Sequence, residues 1–368
     1  MPGISLKPDE KVLIARKLEE LGVDSIEAGF PSVSEGEFKA IKTIAREVTE
    51  SEVIVLARSN TADIDMAIKA DVKAVHLFIA TSDIHIKYKL RMSREQVIEA
   101  AVKAVEYAKA HGLTVEFSAE DATRTEPGFL AQFFQTVVDA GADRIDIADT
   151  VGVMWPSRMA WLVRFIKQSV KGNYLLSVHC HDDFGMAVAN SVSAVEAGAD
   201  QVHGTINGFG ERAGNAALEE VASAVKFLLG YETRIRFNKI KEVSDLVAQL
   251  FKVRLPPNKA IVGANAFSHE SGIHVHGVLN NPYTYEPIDP SVVGMSRRIV
   301  LGKHSGRHAV EYALSQMGIK PTDELVNAVL RRIKQMGDMG MSITWDDLKR
   351  IVEEVASSRV VDGEGGGN

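Results

Sequence analysis

The chain has 368 residues, of which 45% are hydrophobic and 25% are charged, a composition typical of soluble globular proteins and a length sufficient for more than one domain. Its net charge of −7 argues against nucleic acid as the main partner, because phosphate binding requires a basic surface. One cysteine excludes an intrachain disulfide, and the sequence shows neither a signal-peptide core nor an apolar run of roughly 18 residues, so we expect a cytoplasmic protein that does not enter membranes.

Short β-branched runs alternate with amphipathic stretches from the N-terminus to about residue 230. The runs predict seven strands, which are Ser25–Ala28, Val53–Ala57, Ala74–Ile79, Thr114–Ser118, Arg144–Ala148, Leu175–His179 and Gln201–Ile206. The stretches between them predict helices, among them Pro8–Leu21, Arg94–His111, Pro127–Ala140, Pro156–Gln168 and Ala187–Ala197. Strands that alternate with helices in this way are typical of parallel βαβ units.

The alternation predicts an α/β fold, namely a TIM (β/α)8 barrel that lacks its first strand in this chain. A closed barrel of this type needs one strand more than the seven predicted here. We expect the missing strand upstream of Met1, and therefore a gap in the sheet between Ser25–Ala28 and Gln201–Ile206. A seven-stranded or open doubly wound sheet is the alternative.

The pattern changes after about residue 231. Residues 238–253 are predicted to be helical, residues 255–307 are rich in Gly, His, Asn and Pro and are predicted to form loops, and residues 308–356 predict two or three amphipathic helices. We therefore expect four parts: a TIM-barrel domain over 1–230, a linker subdomain over 231–310, a small helical C-terminal subdomain over 311–357, and a disordered tail over 358–368.

Two histidines stand at the end of the sixth predicted strand. His179 and His181 are two residues apart, so strand alternation places both imidazoles on one face and Cys180 on the other. On a barrel strand that face is the interior, and catalytic groups lie at its carboxyl end. Two neutral imidazoles suit a divalent metal, but a hydrogen-bonded histidine pair in a polar barrel mouth would have the same spacing.

The loop after the seventh predicted strand, Asn207–Asn215, contains three glycines. Glycines let a backbone approach a ligand closely, and Asn215 offers an amide oxygen. A plain glycine-rich turn into the next helix explains the same residues equally well, so the loop by itself decides nothing.

Five segments resemble motifs of the α-isopropylmalate synthase and homocitrate synthase family, and they are Ile26–Pro31, Val178–Gly185, Asn207–Asn215, Asn265–His274 and Leu301–Arg307. They follow one another in the family's order, and the resemblance extends over essentially the whole chain. It implies a metal-dependent TIM-barrel acyltransferase that condenses acetyl-CoA with a 2-oxo acid.

The resemblance also implies a ligand set for the metal. In the family the ion is held by both histidines, by the asparagine that closes the glycine-rich loop, and by an aspartate on strand one. Here these correspond to His179, His181 and Asn215, with the aspartate and a neighbouring arginine expected before Met1. Mixed nitrogen and oxygen ligands leave Mg²⁺, Mn²⁺ and Zn²⁺ open.

Three residues are candidate acid and base groups. Glu120 follows the strand Thr114–Ser118 and can face the barrel mouth, although an exposed loop acid is the alternative. His274 and Tyr285 match a pair that completes the site in the family, often across a dimer, so we expect a homodimer. A structural loop histidine is the alternative interpretation of His274.

Two further residues are candidates for substrate binding. Thr150 follows the strand Arg144–Ala148 and resembles a family threonine that binds the substrate carboxylate, with a helix N-cap as the alternative. His85 also follows a strand and is expected to line the pocket.

The predicted reaction is that of a 2-isopropylmalate synthase, in which acetyl-CoA and 3-methyl-2-oxobutanoate give a 2-hydroxy dicarboxylic acid and CoA. Homocitrate synthase, which uses 2-oxoglutarate, and citramalate synthase, which uses pyruvate, are alternatives. A different alternative is an inactive barrel that lacks the strand-one arginine and aspartate. A lyase of the hydroxymethylglutaryl-CoA type is disfavoured, because its cysteine in a mobile glycine-rich loop has no counterpart here.

Overall fold

Seven parallel strands form one sheet in the computed structural model, which describes residues 1–363 and the side chains of residues 1–357. The strands are β1 Ser25–Glu27, β2 Glu52–Arg58, β3 Ala74–Ala80, β4 Thr114–Glu120, β5 Arg144–Asp149, β6 Leu175–Cys180 and β7 Gln201–His203. Each strand lies beside its neighbour in sequence, so the spatial order is the chain order. A doubly wound sheet reverses its order at a switch point, and the observed order therefore excludes that alternative.

The sheet has two edges, β1 and β7, which do not pair with each other in the described part of the chain. The gap expected between the first and last predicted strands is thereby confirmed. The fold is that of a TIM barrel, with seven of its strands in this chain. The last strand is shorter than predicted, because β7 ends at His203 and a 3-10 turn with a left-handed Asn207 (φ 62°) follows it.

Helices alternate with the strands, as predicted. They are α1 Pro8–Leu21, α2 Glu35–Glu47, α3 Thr61–Lys69, α4 Asp83–His85, α5 Arg94–Ala110, α6 Pro127–Asp139, α7 Pro156–Ser169, α8 Ala187–Glu196, α9 Leu218–Phe227 and α10 Ile240–Phe251. Helix α1 precedes β1, α2 to α8 connect consecutive strands, and α9 and α10 follow β7. Several begin at a side-chain cap: Ser34, Asn60 and Ser93 each accept a hydrogen bond from a backbone N–H in the first turn of the helix that follows.

The two faces of the sheet differ in chemistry. On β4, Val115 and Phe117 alternate with Glu116 and Ser118, and all four are buried. Val115 and Phe117 face the surrounding helices and form part of the hydrophobic core. Glu116 and Ser118 face the opposite side of the sheet, which also carries His179. The interior of this barrel is therefore lined with titratable groups at mid-height, which cost free energy to bury unless they are paired.

The chain divides into two compact units, one spanning Met1–Leu255 and one that begins at Pro256. Helix α10 belongs to the first, so the segment predicted as a linker over 231–310 is distributed over both units. In the second unit, β8 Ser268–His269 pairs in parallel with β9 Arg298–Ile299. Its helices are α11 Gly272–Asn280, α12 Arg307–Gln316, α13 Asp323–Asp338 and α14 Trp345–Gly363.

Helices α12, α13 and α14 form a hydrophobic core around Leu314, Ile333 and Leu348, in agreement with the amphipathic pattern after residue 308. Helix α11 was not predicted, because in its Gly- and His-rich sequence only Val275 and Val278 are buried. Since α14 extends to Gly363, only 364–368 of the predicted disordered tail remain, and they lie outside the described residues. Within the described residues, no helix is both long and apolar enough to span a membrane.

Candidate metal centre and its surroundings

His179, His181 and Asn215 converge beyond the carboxyl end of β6, and we call them the metal triad. Nε2 of His179 lies 3.2 Å from Nε2 of His181 and 3.2 Å from Nδ2 of Asn215. The Asn215 amide nitrogen also lies 3.4 Å from Nδ1 of His181. A backbone bridge between His181 and Asn215 joins the end of β6 to the loop after β7, which explains why residues so far apart in sequence meet.

The glycines of the loop Asn207–Asn215 are required by this convergence. A Cβ on Gly210 would lie 1.7 Å from Oδ1 of Asn215, and one on Gly214 would lie 2.0 Å from the carbonyl oxygen of Gly208. Gly214 also has a φ of +102°, in the region that favours glycine. The loop can therefore close over Asn215 only with these residues.

Both imidazoles of the metal triad favour the neutral form. Burial, reinforced by the nearby His203, lowers the pKa of His179 well below its usual value. Burial and the positive charge of Arg212 lower the pKa of His181. Neutral imidazoles have a free lone pair, which is the form that binds metals. Once the Asn215 amide is turned by about 180° so that its oxygen replaces Nδ2 against the imidazoles, the three groups form a nitrogen and oxygen donor set that fits a divalent ion.

An ion pair above the triad holds the loop in place. Arg212 donates to both carboxylate oxygens of Asp183 at 2.8 Å and to the carbonyl oxygen of Thr150 at 2.7 Å. Asp182 caps the start of α8, since its Oδ1 accepts from the N–H of Ala187 at 2.8 Å. Together these contacts tie the ends of β5 and β6 to the glycine-rich loop.

Glu120, the candidate base, lies at the carboxyl end of β4 and is not free. Lys89 donates to its two carboxylate oxygens at 2.5 and 2.7 Å, and Nδ1 of His85 lies 3.5 Å from Oε1. Lys89 stands on a π-helical turn, Ile86–Leu90, that follows α4. Lys89 was not among the predicted site residues, although the basic residues after His85 were a signal that a carboxylate near this strand end would have a partner.

His85 and Thr150 also lie at the carboxyl-terminal ends of the strands, His85 after β3 and Thr150 after β5. Among the described residues, Nδ1 of His85 is buried without a hydrogen-bond partner. Oγ1 of Thr150 accepts from the N–H of Asp121 at 2.8 Å. Thr150 does not cap a helix, because α7 begins six residues later at Pro156 with Trp155 at its N-cap.

His274 and Tyr285 belong to the second unit. Their rings stack with centroids 4.0 Å apart, and Tyr285 is 43% exposed. Next to them, buried Glu286 accepts from Arg297 and from His269. Burial opposes the ionisation of Glu286, but Arg297 and His269 outweigh it and lower its pKa. The rings of His274 and Tyr285 are therefore in contact with each other, and the neighbouring Glu286 favours its ionised form.

A cluster of polar side chains on the inner face of the sheet was not predicted from the sequence. We call it the interior network, and its members are Glu27, His76, Glu116, Ser118, Asp146 and His203. His76 is bonded through Nδ1 to Glu27 and through Nε2 to Ser118, each at 2.6 Å. Nε2 of His203 lies 2.8 Å from Glu116. Polar residues at alternate positions of otherwise apolar strands were the signal for it.

The interior network lies directly beside the metal triad, since the rings of His179 and His203 are 5.6 Å apart. Burial disfavours a charged His203, but Glu116 and Asp146 outweigh it and raise its pKa to about 10. Burial raises the pKa of Asp146 despite the neighbouring histidines. The two sites therefore differ in electrostatics: negative charge surrounds His203, whereas His179 stays neutral.

Comparisons with known proteins cover nearly the whole chain. The model of the HMGL-like family matches residues 1–247, and that of the homocitrate synthase post-HMGL domain-like family matches residues 261–341. A 2-isopropylmalate synthase from Sulfurisphaera tokodaii is 54% identical over 360 residues, which cover 98% of this chain and 93% of that protein. An (R)-citramalate synthase from Methanocaldococcus jannaschii is 53% identical over 359 residues, which cover 98% and 73%.

Solved structures are similar in fold. A hydroxymethylglutaryl-CoA lyase from Pseudomonas aeruginosa has a TM-score of 0.62 and 20% sequence identity to this chain. The match covers 67% of this chain and 87% of that one. At this identity the likeness concerns the fold alone.

Proposed function

This chain belongs to the HMGL-like family, and on that premise we propose that it is a 2-isopropylmalate synthase, which condenses acetyl-CoA with 3-methyl-2-oxobutanoate. Its relatives are synthases, and the chain is an acyltransferase that joins acetyl-CoA to a 2-oxo acid. The observation that carries the proposal is the convergence of His179, His181 and Asn215 at the carboxyl ends of the strands, where barrel enzymes hold their catalytic groups.

The family is metal-dependent, and we assign the metal triad as the ligands that this chain supplies to a divalent ion. Mg²⁺, Mn²⁺ and Zn²⁺ are all compatible with two imidazoles and an amide oxygen. When bound, the ion polarises the carbonyl group of the 2-oxo acid as a Lewis acid. The low pKa of His179 keeps its lone pair available for that role at neutral pH.

The remaining residues act on protons and on substrate position. We assign Glu120 as the base that removes a methyl proton from acetyl-CoA, with Lys89 orienting both of its carboxylate oxygens. Because Oγ1 of Thr150 already accepts from Asp121, its hydroxyl hydrogen is left to donate to the substrate carboxylate. His85, whose buried Nδ1 lies 3.5 Å from Oε1 of Glu120 without a hydrogen bond, is the further residue that we assign to the substrate pocket.

We also propose a homodimer in which Glu270–Tyr285 reaches the barrel of the partner, where His274 and Tyr285 serve as acid and base groups. In the second unit this segment exposes apolar and aromatic side chains, with Ile273 75% and Tyr285 43% accessible. Exposed apolar and aromatic side chains such as these are typical of surfaces that another protein chain covers, which supports a dimer contact at this segment.

Homocitrate synthase, with 2-oxoglutarate as substrate, is a second candidate, since the model matched by residues 261–341 is named for that activity. Citramalate synthase, with pyruvate, is a third, because a 53% identical relative has that name.

Thiol release from acetyl-CoA distinguishes these candidates. We expect the highest kcat/KM with 3-methyl-2-oxobutanoate among the three 2-oxo acids, and its loss in His181→Ala. The matched control is His111→Ala, which removes an exposed histidine. The absence of thiol release with every one of the acids, in the presence of Mg²⁺, Mn²⁺ and Zn²⁺ in turn, would refute the proposed class of reaction.

A further inference from the structure

We propose that the interior network binds a second metal ion, a zinc-class divalent cation held by His76, Asp146 and His203. Each of these residues offers a ligand atom, and the three atoms lie within 4.8 Å of one another. The residues stand on β3, β5 and β7, and inward side chains of alternate strands share one layer of a barrel. Strand geometry alone therefore brings them to one level, and the inference does not depend on the proposed reaction.

The hydrogen bonds of both histidines already have the pattern of metal ligands. Metal-binding histidines usually direct their second ring nitrogen to a carboxylate, which fixes the ring and strengthens the ligand. Nδ1 of His76 is bonded to Glu27 at 2.6 Å, and Nε2 of His203 to Glu116 at 2.8 Å. The opposite nitrogens would then bind the ion: Nδ1 of His203, which lies 3.9 Å from Oδ1 of Asp146, and Nε2 of His76, which would give up its bond to Ser118.

Asp146 supplies an independent observation. It is fully buried, and its Oδ1 has no hydrogen-bond partner among the described residues. Its other carboxylate oxygen is bonded to Ser118, and Oδ1 lies 3.9 Å from Nδ1 of His203. A buried carboxylate oxygen without a partner is costly, and an ion between Asp146 and the two histidines would remove that cost.

The charges of the network are compatible with a divalent ion. Three carboxylates, Glu27, Glu116 and Asp146, face one guanidinium, that of Arg144, which is itself shared with Glu52. With all three carboxylates ionised the excess is at least two negative charges, and one divalent ion would balance two while leaving both imidazoles neutral. Without an ion, protons on His76 and His203 provide the same balance, and, although burial opposes it, the carboxylates around these histidines raise the pKa of both.

The donor set indicates the class of ion. Two imidazoles and a carboxylate suit Zn²⁺, whereas Mg²⁺ prefers oxygen ligands and retains several waters. Zinc-to-nitrogen bonds of about 2.0–2.1 Å place tetrahedral ligands roughly 3.3 Å apart, so ligand atoms now up to 4.8 Å apart would approach one another by up to about 1.5 Å on binding. His76 would exchange its bond to Ser118 for the ion and keep its bond to Glu27.

The test counts bound zinc by equilibrium dialysis and elemental analysis after removal of metal with a chelator. The double variant His179→Ala/His181→Ala lacks the metal triad, and we expect it to retain one Zn²⁺ per chain. Adding Asp146→Asn to that background should remove this ion, whereas Asp149→Asn should not, because Asp149 is a buried carboxylate that faces away from the network on the same strand. Co²⁺ should give a visible absorption spectrum in the double variant that Asp146→Asn abolishes.

Two outcomes would overturn the inference. The first is a double variant that is folded by circular dichroism and binds no Zn²⁺. The second is a zinc ion that persists after Asp146→Asn, which would place it elsewhere, for example on His276 and His308 of the second unit, whose rings are 4.3 Å apart. If Asp146→Asn fails to fold, His203→Gln replaces it, with the same expected loss of zinc.

Discussion

Arg212 binds Asp183 with two hydrogen bonds of 2.8 Å, and this pair fixes the glycine-rich loop against the end of β6. The same guanidinium bonds to the carbonyl oxygen of Thr150 at 2.7 Å, so three strand ends share one side chain. Asn215 follows three residues later and owes its position to this anchor. Arg212 therefore acts on the metal triad through the loop, as a positioning residue.

Replacing Arg212 with Gln removes the ion pair and loosens Asn215. Outer partners of metal ligands typically contribute about 10–100-fold to metal affinity, so we expect the Kd for Mn²⁺ to rise by that factor. Titration calorimetry measures it, with Arg164→Gln, an exposed arginine on α7, as the matched control. Equal affinities in Arg212→Gln and the control would show that the loop needs no such anchor.

Metal binding should tolerate moderate acid. Protons compete with metal for the imidazole lone pair, and burial lowers the pKa of both His179 and His181. A lowered pKa keeps the neutral form at lower pH, so Mn²⁺ affinity should stay constant from about pH 8 through the usual histidine pKa of about 6.5 and fall only at lower pH. Calorimetry at each pH checks this, and an affinity that already falls between about pH 8 and pH 7 contradicts it.

The same shifts predict the acid stability of the metal-free protein. Below about pH 6.5 the unfolded chain binds protons at these histidines and the folded chain does not, so stability falls as the pH is lowered. His179→Gln should weaken that dependence, which thermal melts between about pH 7 and pH 5 would detect. An identical decline in Tm for both proteins would show that His179 is not kept neutral by the fold.

Glu120 and Lys89 should differ in the size of their effects. Glu120→Gln removes the assigned base, and such losses typically lower kcat by about 10²–10⁴-fold. Lys89→Ala leaves the carboxylate but not its orientation, so kcat should fall by less while KM changes little. Lys87→Ala, an exposed lysine on the same turn, is the control for both. Wild-type turnover in Glu120→Gln would remove this residue from the mechanism.

The proposed dimer can be tested by complementation. His179→Ala and His274→Ala should each be inactive, and random mixing of the two chains should restore about a quarter of wild-type activity if each site uses both chains of a symmetric dimer. Subunit exchange is verified independently by mass spectrometry of differently tagged chains. Exchange without recovered activity would mean that each site is built from one chain.

Local patterns in the sequence predicted most of the fold. The alternation of strands and helices gave the order of the seven strands, and the two-residue spacing of His179 and His181 placed both on one face. The motifs around His179 and Asn215 indicated a family of metal-dependent acyl-CoA condensing enzymes, and the match to the HMGL-like family model confirmed that assignment. The roles assigned to individual residues remain predictions.

Other features depend on contacts that a linear pattern does not contain. His203 and Glu116 are 87 positions apart, and only the closure of β4 against β7 across the barrel brings them together. Lys89 reaches Glu120 because a π-helical turn redirects it, and no propensity rule anticipates that turn. Helix α11 was missed because its buried residues, Val275 and Val278, are too few to give a periodic signal.

Anomalous diffraction from crystals grown with Zn²⁺ and 3-methyl-2-oxobutanoate tests the central assignment most directly. We expect a peak within about 2.2 Å of an imidazole nitrogen of both His179 and His181 and of the side-chain oxygen of Asn215, with the 2-oxo acid bound to the same ion. A well-ordered 2-oxo acid with no anomalous peak at the metal triad, or a peak that excludes His181, would contradict the account.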